Sequence, residues 1–455
     1  MATAKDQRDA VRKFRENFRR NPALVPVHKL QEHAARPRQS KGSLWLSTAS
    51  IPALHADEDT ELRSRLWEVF EQRGDGTEKL DYPVASVPLH GEWIGFRKNP
   101  VVEKKQLSEL DQFNGLQCDR SNSTTIFYLS GSGWMRVGPP GSRPLIQQIS
   151  QYSGSRVFTM QTRLAPRYTL PTIIQDALVG YFYLIAPPKG ALHDPVDPST
   201  LILAGESGGS TLHLAVLQFL QHHIQKASQN GITNPTIQIN GQQVPLRMPK
   251  GCAFVSPPCD LLSALPAAQA HEEIDWMPER GPWFRDDFPA DSLWPSNPPR
   301  AEIYIDVSAM RHPLIQPSSW RDWRGMPPMW IACGHERYCD GIRYFVKSLW
   351  ESGVKVRYYE YEHMVHSFAV VMPRMPQAEH CMKLWGAACR EIGTGSEQYT
   401  SSANVVQLGK LEVKQMPFEG LFQLSEEEVV RRMKARIDLL KNWVWRGPKE
   451  KTSKI

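Results

Sequence analysis

The chain has 455 residues, enough to bury a large core in one elaborated domain or two to three simple ones. Hydrophobic residues make up 41% and charged residues 22%, the balance of an ordinary globular protein rather than a disordered or fibrous one. The formal charge of +6 shows no basic stripe with interleaved aromatics, so nucleic acid is not an expected partner.

The seven cysteines, at 118, 252, 259, 333, 339, 381 and 389, form no CxxC pair and no zinc-type Cys/His spacing. They read as reduced thiols, and no metal is expected. The opening MATAKDQRDAVRKFRENFRR has no apolar core of a secretory signal and reads as a solvated helix; the alternative is an Arg-rich amphipathic presequence, against which Asp6, Asp9 and Glu16 count. No apolar run approaches the roughly 20 residues that span a bilayer. The expected form is soluble and cytoplasmic.

In chain order, residues up to about Arg73 read as helical and charged, and a β-like stretch follows at 83–98. Short β-rich runs then appear at 124–129 (TTIFYL), 156–161 (RVFTMQ), 200–204 (TLILA), 252–256, 329–333 and 354–361. Helical segments lie between them at 172–185, 208–224, 340–351 and 377–390. Strands alternating with helices predict an α/β fold with a mostly parallel sheet. Residues 257–318, rich in proline and carrying Trp276, Trp283, Phe284 and Trp294, read as an insertion into that core. The tail after Gly395 ends in an amphipathic helix at 425–444, opened by Ser425 and three acids as the helix dipole prefers. The expected divisions are an N-terminal arm (1–115), a first core half (116–256), the insertion (257–318), a second core half (319–394) and a C-terminal extension (395–455).

The chemistry centres on residues 201–209, LILAGESGG, a G-x-S-x-G between an apolar strand and a helix. A serine hydroxyl is a weak nucleophile until a base takes its proton, and a tight strand-to-helix turn presents Oγ where a base can reach it. The pattern alone is common; its strand–turn–helix setting marks Ser207 as the nucleophile, with the N–H of Gly208 facing the substrate oxygen. In this layout the acid and histidine follow in the order Ser, Asp/Glu, His. The run MWIAC leads to Glu336 in GHERYCD, and the next strand leads to His366 in EHMVHSF. Read singly, Glu336 could cap a helix and His366 could be a satisfied core histidine; their order after consecutive strands points to catalysis. The turn Ser130-Gly131-Ser132-Gly133 after 124–129 suits an oxyanion hole, where losing one donor typically slows turnover by about 10² to 10³. As a dinucleotide turn it fails, because Arg136 stands where a third glycine belongs, so no cofactor is expected.

These segments resemble the hormone-sensitive-lipase-like group of α/β-hydrolases, of the type found in fungi and bacteria. The group's YRLAPE, FP, DA, GDSAGG, LSP-x-LDL and YEGMIHGF segments find ordered counterparts here. They are TRLAPR (162–167), Leu170-Pro171, Asp176-Ala177, GESGG (205–209), VSPPCDL (255–261) and YEHMVHSF (361–368). The likeness spans about residues 123–372. It implies Ser207 as nucleophile, His366 as general base, and Gly131, Ser132, Gly133 and Gly208 as the oxyanion hole. Two carboxylates compete for the acid. The group's catalytic carboxylate precedes a second acid by four positions, as Glu336 precedes Asp340, which selects Glu336. The group's HGGG turn is Ser-Gly-Ser-Gly here, and a positive φ at Ser132 would be strained. The resemblance also implies a largely helical cap built from the N-terminal arm and the insertion, with the insertion's aromatics lining an apolar pocket or packing within the cap. The leading expectation is a cofactor-independent hydrolase of a small to medium apolar ester. The alternatives are an acyl transferase or cyclase using the same serine, and an inactive ligand-binding relative.

Overall fold

Side chains along the central strands alternate between two apolar faces, and that alternation sets the architecture. The computed structural model describes residues 3–20, 24–36, 42–100, 107–136, 138–395 and 399–448. Its strands are β1 (Leu44–Ile51), β2 (Leu89–Phe96), β3 (Thr125–Leu129), β4 (Arg156–Met160), β5 (Leu201–Glu206), β6 (Thr236–Ile239), β7 (Gln242–Pro245), β8 (Gly251–Val255), β9 (Met329–Gly334), β10 (Val356–Tyr361), β11 (Ser402–Val406) and β12 (Val413–Met416). The helices are α1 (Ala4–Arg20), α2 (Val27–Ala35), α3 (Ala56–Arg73), α4 (Glu109–Asp119), α5 (Pro139–Ser153), α6 (Leu170–Ile185), α7 (Gly208–Gln229), α8 (Ala267–Ala270), α9 (Cys339–Glu351), α10 (Phe368–Val371), α11 (Pro376–Thr394) and α12 (Glu426–Leu440).

Ten strands form one sheet in the order β1-β2-β4-β3-β5-β8-β9-β10-β11-β12, while β6 and β7 make a separate hairpin. Pairing is parallel from β4 through β11 and antiparallel at both ends. Ile126, Tyr128, Ile202, Ala204, Ala253 and Val255 pack on the face covered by α5 and α11. Phe127, Leu129, Leu203 and Phe254 face the other way, toward α6, α7 and α9. The predicted α/β architecture is therefore present, with β5 buried at its centre.

The expectation of continuous charged helix up to Arg73 is corrected by β1. Its residues 47, 49 and 51 are buried, and it pairs with β2 along its whole length. The arm thus divides: β1 and β2 extend the sheet, whereas α1 lies on the insertion, where Arg15 and Arg19 donate to the Glu272 carbonyl at 3.0 and 3.1 Å. Among the described residues the insertion has one short helix, α8, and 3₁₀ turns at Pro282–Phe284, Val307–Ala309 and Pro317–Ser319. Its prolines lack the N–H that a longer helix needs. Trp283, Phe284 and Trp294 pack on one another within it, while Trp276, Phe288 and Tyr304 meet rings outside it. Trp294 is fully buried between Phe284 and Trp445, at ring distances of 5.7 and 6.1 Å. The expected C-terminal helix is α12, which buries Val429, Met433 and Ile437 and hydrogen-bonds the insertion from Arg436 to the Leu262 carbonyl. No described helix is long and apolar enough to cross a membrane.

Candidate active site

β5 runs straight into α7 with Ser207 as the single residue between them, at φ 49° and ψ −131°. Such a backbone is sparsely populated for a residue with a Cβ and persists only where its surroundings impose it. The packing here does so. A Cβ on Gly209 would lie 1.9 Å from the Leu129 carbonyl oxygen, and one on Gly205 would lie 2.7 Å from it. The glycines thus let the end of β3 press against the turn, while the Ser207 N–H donates to Val255 O of β8 at 3.0 Å.

β9 ends at Gly334, where a Cβ would meet the Met364 carbonyl oxygen at 2.2 Å, so the turns after β9 and β10 close on each other. Glu336, fully buried in the first turn, has Oε1 2.7 Å from His366 Nδ1 in the second. Its Oε2 accepts from Ser256 Oγ at 2.5 Å and from the Gly334 N–H at 3.2 Å. His366 Nε2 lies 2.8 Å from Ser207 Oγ. A neutral His366 with Nδ1–H toward the carboxylate leaves Nε2 free to accept the serine proton. Burial alone would push the His366 pKa down; Glu336, Asp275 and Glu206 outweigh it and hold the pKa above the ordinary value. Asp340 stands apart. Its Oδ2 accepts from the Ala267 N–H at 2.9 Å and its Oδ1 pairs with Arg343 at 3.1 Å. Of the two competing carboxylates, Glu336 is the one brought to His366.

The turn after β3 lies against the serine, since a Cβ on Gly131 would be 2.8 Å from Ser207 Cβ. Ser132, Gly133 and Trp134 have φ of 76°, 60° and 58°, three consecutive left-handed residues. Two of the three carry a Cβ, so the conformation is held rather than preferred. Trp134 Nε1 donates to Gly208 O at 3.0 Å, its own carbonyl accepts from the Ala165 N–H at 2.9 Å, and Ser132 Oγ donates to Arg136 O at 3.1 Å. The Arg163 guanidinium anchors that same 163–165 stretch on fully buried Asp176, at 2.7 Å. Ser130, in the place of the expected histidine, hydrogen-bonds Ser142 Oγ at 2.8 Å. One expected donor is corrected: the Gly131 N–H is already occupied, donating to Glu206 Oε1 at 2.8 Å. The other Glu206 oxygen accepts from Tyr128 OH. Burial raises the Glu206 pKa to about 7, against the pull of these two bonds. The N–H groups of Ser132, Gly133 and Gly208 have no hydrogen-bond partner among the described residues.

A family model described as alpha/beta hydrolase fold matches residues 126–370, more than half of the chain. This chain belongs to the alpha/beta hydrolase family. An acetyl-hydrolase of Streptomyces hygroscopicus is 23% identical over 272 residues, covering 60% of this chain and 77% of that protein. Esterase LipU of Mycobacterium tuberculosis is 27% identical over 157 residues, 34% of this chain and 50% of that one. The solved structure of a Pyrobaculum calidifontis esterase superposes with a TM-score of 0.50 at 15% identity, covering 83% of this chain and 97% of that one; this likeness concerns the fold.

In this alpha/beta hydrolase, the insertion reaches the site in a way the sequence did not signal. Asp275 and Trp276 both hydrogen-bond the His366 backbone. As one of three acids in Glu272-Glu273-Ile274-Asp275, in an irregular stretch, Asp275 carries no periodicity by which it could be singled out. Tyr338 stands edge-on to the His366 ring at 5.3 Å. Two described clusters have metal-ligating side chains, Glu68 with His222 and His223, and Cys333 with Cys339 and Glu360. In each the carboxylate already has a cation: Lys226 holds Glu68, and Arg343 holds Glu360 at 2.6 Å.

Proposed function

We propose that this alpha/beta hydrolase cleaves carboxylic esters with Ser207 as nucleophile, His366 as general base and acid, and Glu336 as its orienting carboxylate. The observation that carries this reading is the continuous series Ser207 Oγ, His366 Nε2, His366 Nδ1, Glu336 Oε1, with links of 2.8 and 2.7 Å. In the proposed reaction Ser207 Oγ attacks the acyl carbon while its proton passes to His366 Nε2. The imidazolium is stabilised by buried Glu336 and returns the proton to the leaving alkoxide. A water then repeats the sequence on the acyl-enzyme, giving the acid and free Ser207. The developing oxyanion would be met by the N–H groups of Ser132, Gly133 and Gly208. Preorganised donors aimed at a developing oxyanion are usually the largest single contribution such a site makes. Glu206 serves beneath the turn, fixing Gly131 rather than freeing it as a donor.

We read the substrate as a small to medium apolar ester. Trp134 packs on Gly208, where a Cβ would lie 2.8 Å from its ring, while Tyr338 and Trp276 flank His366. The matched proteins named acetyl-hydrolase and esterase agree with this class. In this reading α1, α2 and residues 257–318 form a cap over the site. An inactive binding relative would have no use for a histidine at hydrogen-bond distance from both partners. The test is fluorophosphonate labelling, followed by p-nitrophenyl esters from acetate to decanoate. Wild type should label and turn over the shorter esters fastest, and Ser207→Ala should not label and should lose about 10⁶-fold in turnover. Unlabelled wild type, or undiminished labelling of Ser207→Ala, would overturn the assignment.

A further inference from the structure

The reaction above uses no atom of the insertion, yet three residues of one short segment of it, His271, Asp275 and Trp276, grip the two turns on which His366 and Glu336 stand. Asp275 is fully buried; its Oδ1 accepts the His366 backbone N–H at 3.0 Å and its Oδ2 the Arg337 N–H at 2.9 Å. Trp276 Nε1 donates to the His366 carbonyl at 2.9 Å. His271 Nδ1 lies 3.0 Å from the Glu336 carbonyl oxygen. Both backbone polar groups of His366, and both polar groups of the Glu336–Arg337 peptide, therefore have side-chain partners from one short segment. That segment is itself tied to α1. Phe18 packs edge-on against Trp276 at 4.4 Å, and Arg19 donates to the Asp275 carbonyl at 3.2 Å.

A buried carboxylate is expensive unless it is well hydrogen-bonded; burial raises the Asp275 pKa, opposed by the nearby His366 and by the Arg337 and His366 N–H groups, with a third, longer bond from the Met277 N–H at 3.4 Å. We infer that Asp275 and Trp276 are positioning residues, a brace supplied by the insertion that fixes His366 and Glu336 relative to each other. The inference rests on the reading of Ser207, His366 and Glu336 as the reacting groups. The Asp275 charge has a second effect. Beside Glu336 from the turn after β9 and Glu206 at the end of β5, it is the third carboxylate acting on the imidazole, which also faces Ser207 Oγ and the Tyr338 and Trp276 rings. All three favour the imidazolium that forms as the serine attacks.

Steady-state kinetics with p-nitrophenyl acetate across pH, on the full chain, test the brace. Misplacing a catalytic group by about 1 Å can cost ~100-fold, so Asp275→Asn, which keeps one acceptor and loses the charge, should lower kcat ~10- to 100-fold. KM should stay within about 2-fold, because ground-state binding is untouched. The acid limb of kcat/KM should move to lower pH, as the imidazolium has lost a stabilising charge. Trp276→Phe, which keeps the ring but not the N–H, should lower kcat ~3- to 10-fold with the limb unmoved. Glu273→Ala, on the same segment but with an 88% exposed side chain, should match wild type. A folded Asp275→Asn with wild-type kcat overturns the inference, as does a fall in kcat with an unmoved acid limb, which would be mere structural damage. If Asp275→Asn does not fold, Trp276→Phe decides, and wild-type kcat there overturns it. Fluorophosphonate labelling of wild type separates the two levels: no label defeats the reading of the site, whereas a label with unaffected variants defeats the brace alone.

Discussion

Glu336 and Asp340 show how finely a residue's role depends on where one turn of chain sends it. Four positions apart, one carboxylate meets His366 Nδ1 and the other meets the Ala267 N–H and Arg343. Glu336→Gln should therefore lower kcat by about 10³- to 10⁴-fold, since an amide neither compensates the imidazolium nor selects its tautomer. Asp340→Asn should leave kcat within about 10-fold and instead lower the thermal midpoint, through a loss of roughly 1–3 kcal/mol. Kinetics and thermal melts on the two variants check this, and loss of turnover confined to Asp340→Asn would contradict it. The sign of the pH dependence follows from His366. Only the neutral imidazole accepts the serine proton, and the surrounding carboxylates hold its pKa above 6.5. The wild-type rate should thus rise with pH through a midpoint above that value, and Glu336→Gln should move the midpoint down. That Ser207, Glu336 and His366 come together was legible, because each follows an apolar strand in a fixed order. The occupied N–H of Gly131 was not, because it depends on where the Glu206 side chain turns.

At the scale of elements, the β5–α7 turn is among the tightest joints of the described residues. Gly209→Ala would put a methyl group 1.9 Å from the Leu129 carbonyl oxygen, backbone that has no rotamer by which to yield. The elbow must shift or the strands must part. Overpacking of this kind typically costs ~1–3 kcal/mol. The expected outcome is a lowered thermal midpoint together with a loss of fluorophosphonate labelling, because the same displacement moves Ser207. Wild-type labelling in a stable Gly209→Ala protein would contradict it. The central strands and α6, α7, α9 and α11 were readable from sequence, because burial on both faces leaves continuous apolar runs. β1 was hidden. Its LWLSTASI mixes apolar and polar residues without strict alternation and lies among charged helical stretches. α5 was hidden by its own composition, opening on Pro-Pro-Gly with a further proline at 144, although proline is well tolerated in a helix's first turn.

Across the whole molecule, the regions outside residues 126–370 do two different jobs. β1 and β2 lengthen the sheet at one edge, β11 and β12 at the other, and both additions are antiparallel at their outer pair. α1 and α12 add no strand; they hold the insertion, α1 through Arg15 and Arg19 and α12 through Arg436, and Gln7 of α1 also accepts from the Gly409 N–H between β11 and β12 at 2.9 Å. The sheet's extent and the packing of the two ends on residues 257–318 could not be read in advance. The first depends on pairings between separated strands, such as Leu44 with Phe96, and the second on contacts more than 150 residues apart, such as Arg15 with Glu272 and Arg436 with Leu262; no local pattern encodes either.

The spread of the site along the chain has a consequence for the order in which the molecule assembles. Ser207 and His366 are 159 residues apart, and the His366 N–H finds Asp275 across 91. Contacts of such high sequence separation must wait for loop closure and form late, after local helices and neighbouring strand pairs. During refolding from denaturant, far-UV ellipticity should therefore recover in an earlier phase than ester turnover, with the lag lying between secondary structure and a competent serine. Recovery of both signals in one phase would show instead that sheet closure and site formation are a single event. If the lag is present, a chain in the course of folding passes through a stage in which the sheet exists and the nucleophile is still inert.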